Sequence, residues 1–133
     1  MMEKVEKIDE KVILVRINKA YREDMSRFEL YEYTRGRWRI KKDHAEDADY
    51  AFSVYKGEVK EVYFIAGWFH CGEILSQIIE DNQEYHRPVS DYSPRIEFVG
   101  RIADANIRDK YLGKSVAHLY KRGEAGPIKY INC

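Results

Sequence analysis

The stretch YAFSVYKGEVKEVYFIAGW (50–68) decides how this chain folds. Residues 50–55 and 59–66 are short runs rich in β-branched and aromatic side chains, the composition of buried strands. Lys56-Gly57-Glu58 between them leaves room only for a tight reversal, and Gly57 tolerates the positive φ such a reversal needs. The pattern predicts an antiparallel hairpin whose second strand runs on towards Trp68 and Phe69, kinked at Gly67.

Working outward, residues 12–17 (VILVRI) read as a buried strand. Ser26 caps a helix that starts near Arg27, carries Phe28, Leu30, Tyr31 and Thr34 at partly helical spacing, and stops at Gly36. Residues 37–40 alternate, with Trp38 and Ile40 on one side and Arg37, Arg39 and Lys41 on the other. Residues 43–49 read as a loop or one helical turn. Residues 73–80 have helical spacing, and 82–94, with two prolines, read as a long loop. Residues 95–102 alternate again, with Ile96, Phe98 and Ile102 opposite Arg95, Glu97 and Arg101. Asp104 suits the N-cap of a helix over 105–112 that Gly113 ends; 116–120 are ambiguous; GEAGP (123–127) is a turn and 128–131 a closing strand. Six short strands with two or three short helices predict an α+β fold built on a curved antiparallel or mixed sheet, partly closed into a barrel.

At 133 residues, 44% hydrophobic and 35% charged, the chain reads as one domain over 1–133, neither disordered nor membrane-spanning. No apolar run approaches the roughly 20 residues that cross a bilayer. The first ten residues lack the apolar core of a secretory signal, and two cysteines, Cys71 and Cys133, suit reduced thiols in a cytoplasmic protein. The 23 basic and 23 acidic side chains cancel overall but not locally. RGRWRIKK (35–42) has five basic residues and no acidic one, 43–94 has three against eleven, and 95–133 has eight against four. If the fold joins the two basic stretches, the result is a phosphate-attracting face; if each pairs with the acidic middle, the surface is merely mixed.

Gly113-Lys114-Ser115 resembles the end of a phosphate-cradling loop, but Arg108 stands where that motif needs its first glycine, and a helix precedes it where a strand should. Lys114 and Ser115 keep a lesser role, contact with a backbone phosphate. His70 and Cys71 are neighbours and so point to opposite faces of a strand, and no spacing of His, Cys or carboxylates implies a metal or other cofactor. The aromatic residues say more. Trp68 beside Gly67 suits a pocket mouth at a strand end, and Tyr50 and Trp38 are further rings for stacking on a base, although Trp38 beside Ile40 also suits a core.

The segments TRGRWRI (34–40), 50–68, and RIEFVG with IRDKYLGKSVAHLYKRGEAGPIKYIN (95–132) resemble a group of small prokaryotic proteins, and in their order of elements the PUA-like superfamily with its ASCH, EVE and YTH-type domains. The resemblance implies a compact β-barrel with short helices that binds RNA or modified bases in DNA. It transfers no site residue.

The leading expectation is therefore a nucleic-acid-binding module without catalysis of its own, reading RNA or a modified or flipped base. Arg35, Arg37, Arg39 and Lys41 would form its positive strip, Lys114, Ser115, Lys121 and Arg122 would extend it, and Trp68, Tyr50 and Trp38 would supply the stacking rings. The alternative is an interaction or regulatory protein, for instance a homodimer pairing the strip with the acidic 43–49 stretch of a second copy. A third reading, a small-molecule enzyme using His70 or His118, has no evident partner for either histidine.

Overall fold

The computed structural model describes residues 2–71 and 95–133; the helix expected over 73–80 and the loop over 82–94 lie outside them. The hairpin forms as expected. Strand β3 (Tyr50–Tyr55) and strand β4 (Glu58–His70) pair antiparallel around Lys56 (φ 48°) and Gly57 (φ 80°). Positive φ at both central residues matches the right-handed twist of the strands, and an added Cβ at Gly57 would lie 2.8 Å from the Ala117 Cβ. The ladder of β4 shifts register between Ile65 and Gly67, so the expected kink is a bulge inside one long strand.

Strand β1 (Val12–Arg16) lies parallel to β3, and strand β6 (Ile128–Ile131) lies antiparallel to β1. On the other side of the hairpin, strand β5 (Ile96–Ile102) pairs with β4, and strand β2 (Gly36–Trp38) pairs with β5. The order β2-β5-β4-β3-β1-β6 makes one mixed six-stranded sheet. A parallel β1–β3 pair requires a long crossover. The chain from 17 to 49 supplies it through helix α1 (Arg27–Arg35), β2 and the short helix α2 (Lys42–Ala45). Ser26 accepts a hydrogen bond from the Glu29 amide while the Glu29 carboxylate accepts from the Ser26 amide, a reciprocal cap that sets the start of α1. Helix α3 (Ala105–Tyr111) follows β5, with Asp104 at its N-cap position. The Asp104 side chain does not cap it and instead accepts from Arg101 at 3.1 Å. Residues 117–119 form a 3-10 turn.

Alternation along the strands separates two cores. Val12 and Leu14 pack with Phe52, Val54, Val59 and Val62 under α3 and the N-terminal segment. Ile13 and Val15 pack with Ala51, Tyr63, Ile65, Trp68, Ile96 and Phe98. Trp38 and Ile40, in and just after the strand at one end of the sheet, and Ile128 and Tyr130, from the strand at the other, pack against this same second cluster. The sheet therefore curls around it as a half-barrel, bringing its two edges towards each other. Helix α2 bridges part of the gap, with His44 stacked on Tyr130 at 3.6 Å and 14°. Among the described residues no helix is long and apolar enough to cross a membrane.

Candidate functional site

The remaining gap between the sheet edges, the seam, holds a cleft of about 520 Å³. One wall is Gly36 and Trp38 of β2 with Tyr33 of α1; the other is Ala125 and Pro127 of the turn before β6; the turn after β1, residues 18–20, and Arg16 complete the lining. The Trp38 indole is half-buried, and its Nε1 donates to the Thr34 carbonyl at 2.9 Å, which fixes the ring. Gly36 is required by a close approach: a Cβ there would sit 2.5 Å from the Glu97 Cβ.

Arg16 pins the opposite wall. Its Nε donates to the Gly126 carbonyl (3.1 Å), its Nη2 donates to the carbonyls of Glu124 (2.9 Å) and Gly126 (2.5 Å), and its guanidinium lies 4.2 Å from the centre of the Tyr120 ring. Burial pushes the Tyr120 hydroxyl up to about 12, so it stays protonated at neutral pH. Glu124 closes the turn on itself by accepting from the Lys121 amide and from Lys129 Nζ; the amide bond first, then the ammonium, hold its carboxyl below the ordinary range. Lys121 and Arg122 stand exposed at the head of this turn, and neither side chain makes an ion pair among the described residues. Lys19, on the cleft floor, is likewise exposed and unpaired among them.

Past Trp38 the chain turns away into a second concavity of about 680 Å³, lined by Arg39, Lys41, Lys42, Asp43 and His70 around Ile40 and Ile96. Arg39 and Lys41 are exposed and make no ion pair among the described residues, whereas Lys42 lies 3.5 Å from Glu46.

Not all expected residues reach this region. Arg35 does not belong to an exposed strip. Helix α1 runs through it, so the period of two starts only at Gly36, and helical geometry turns the guanidinium inward. It is 4% exposed, donates from Nε to the Phe98 carbonyl at 2.9 Å, and lies 3.5 Å from Glu97 and 3.7 Å from Glu32. Trp68 is not at a pocket mouth. Strand β4 continues two residues past it, pairs it with Phe98, and seals it at 3% exposure in an edge-on ring contact. Tyr50 packs edge-on against Phe64 and joins the core under α3, away from Trp38. Lys114 and Ser115 also lie on the α3 side, Lys114 3.5 Å from Glu3 and Ser115 bonded through its backbone to Glu3 and Val5. Arg37 is half-buried, and its carbonyl accepts from Arg95.

No family model, curated protein or solved structure matches the chain.

The chemistry of the seam therefore rests on its own side chains. Trp38 and Tyr33 offer aromatic surface, Lys19, Lys121 and Arg122 offer positive charge, and no carboxylate among the described residues lines the Trp38 cleft. That combination suits a flat, electron-rich group carrying negative charge. Asn18, Lys19, Tyr33 and Arg16 are absent from the sequence-based expectation, because 18–24 reads only as a polar turn and Arg16 only as the end of a strand; an unpaired lysine in a turn was the one available signal. His70 and Cys71 face unlike surroundings. His70 lines the second concavity, while the buried Cys71 thiol is pushed up to about 12, first by desolvation and then by the charge of Glu97, which leaves it a poor nucleophile.

Proposed function

We propose that this protein is a nucleic-acid-binding module of PUA-like type that holds one exposed base against Trp38 in the seam of its curled sheet. The single observation that carries this is the fixed indole in a cleft that no carboxylate lines among the described residues, facing a turn headed by two cations without an ion pair among those residues. The volume, about 520 Å³, lies within the ordinary range for small-molecule and cofactor pockets. Lys19, Lys121 and Arg122 attract a phosphate flanking the base, and Trp38, with Tyr33, supplies stacking worth about 1–3 kcal/mol. The base comes from single-stranded RNA, or from DNA in which a modified or mispaired base has been extruded.

Fluorescence anisotropy with labelled single-stranded RNA, and with duplex DNA carrying a methylated base, at about 50 and about 200 mM salt tests the reading. Binding is expected to weaken as salt rises. Trp38→Ala is expected to weaken it by about 5- to 150-fold, with Trp38→Phe retaining most of the affinity. Absence of binding at low salt, or affinity indifferent to salt and to Trp38, overturns it.

A further inference from the structure

We infer that the concavity of Arg39 and Lys41 is a second subsite, which takes the phosphodiester next to the base held at Trp38, so that the ligand is an oligonucleotide strand and not a free nucleotide. The inference rests on the base-binding reading above and extends it to the class of ligand. Trp38 lines one hollow and Arg39, the next residue, lines the other, so the chain passes directly from one lining to the other. A ligand seated at Trp38 that continues along the chain past this residue meets the second lining next.

What it meets there is selective for an anion. Arg39 and Lys41 are exposed and without an ion pair among the described residues, and Lys42 adds a third cation, already 3.5 Å from Glu46. Asp43 is the only carboxylate among the described lining residues. Ile40 and Ile96 form the apolar part of the lining. The first hollow differs in having the rings of Trp38 and Tyr33 in its lining, with Lys19 exposed there and Arg16 engaged by the carbonyls of Glu124 and Gly126. One hollow therefore suits a base and its neighbour suits a phosphate, which is the alternation of a nucleic-acid strand.

Binding of a mononucleotide, a dinucleotide and an eight-residue single strand to the wild type, Arg39→Gln/Lys41→Gln, Trp38→Ala and Lys114→Gln tests the proposal. Lys114→Gln removes one charge on the α3 side and controls for net charge; melting curves confirm folding of each variant. The eight-residue strand is expected to bind more tightly than the mononucleotide. The double variant should remove that advantage, reduce the salt slope by about 0.7 (the value for the one phosphate that the variant no longer neutralises), and leave the mononucleotide unchanged. Trp38→Ala should weaken every ligand, and Lys114→Gln none. If all lengths bind alike and the double variant is silent while Trp38→Ala still weakens binding, the second subsite is overturned and the base site stands. If Trp38→Ala is silent for every ligand, the base site fails and this inference with it.

Discussion

The cations around α3 and those along the seam are the same residue types in different company. Arg108 grips Glu61 through two bonds of 2.7 and 3.2 Å, Lys110 meets Glu10 at 2.5 Å, and Lys114 lies 3.5 Å from Glu3. Along the seam, Lys19, Arg39, Lys41, Lys121 and Arg122 have no such partner among the described residues. Arg108 is matched by Glu61 of β4, and for Lys110 and Lys114 the difference comes from the N-terminal segment. Val5 and Ser115 bond through their backbones, which lays Glu3 and Glu10 beside α3 and neutralises that face. Of these pairs the most exposed, Lys114–Glu3, adds only about 0–1 kcal/mol of stability. Their larger consequence is for the field of the molecule, since they cancel the positive potential on one side and leave it on the other. Arg35 is a third case, a cation taken out of the field altogether by burial against Glu97 and Glu32.

The contrast can be broken most forcefully at that buried residue. Arg35→Met leaves Glu97, 3% exposed, without the guanidinium beside it. A loss of about 3–5 kcal/mol in urea unfolding is expected, the usual cost of removing one partner of a buried pair. A loss below about 1 kcal/mol would place Arg35 among the solvated cations instead.

A smaller effect sharpens the α3 side. Burial alone raises the Glu10 carboxyl, but the bonds from Lys110 and from the Tyr111 hydroxyl outweigh it and leave the group below its ordinary value. A carboxyl lowered in the folded state contributes stability that is fully present above its unfolded value, about 4.3, and disappears as pH falls through the folded one. The wild type should therefore lose more stability on acidification below about pH 5 than Glu10→Gln does, as read from melting temperatures across the acid range. Equal slopes would mean that the Lys110 and Tyr111 bonds do not hold in solution.

The smallest expected effect is Lys114→Gln. Its partner Glu3 is mostly exposed, so stability should change by less than about 0.5 kcal/mol in the same urea titration. A larger change would show that this pair anchors the N-terminal segment and does more than cancel charge.

Much of the scaffold was legible because its signals are local. The 50–68 hairpin, the Ser26 cap, the Gly67 kink and the alternation of β5 each depend on residues a few positions apart, and the structure contains all four. The site was legible only in part. Trp38, Arg39, Lys41, Lys121 and Arg122 gather at the two hollows or at the turn that walls one of them, while Arg35, Trp68, Tyr50, Lys114 and Ser115 do not. Trp68 misleads because a strand end read beside a glycine was the middle of a bulged strand, and Arg35 misleads because the change from helical to extended period falls one residue after it.

By itself, then, the order of residues determined which segments become strands and helices, though not all of their ends, since backbone propensity, capping and side-chain period act over a few bonds. Which tryptophan is sealed, which lysines stay without an ion pair among the described residues, and that the two edges of one sheet face each other across a cleft lined by Trp38 were decided only by tertiary packing. Those outcomes turn on partners tens to about a hundred positions away, Phe98 for Trp68, Glu3 for Lys114, Pro127 for Trp38, and nothing in the local chemistry of any of these residues names its partner.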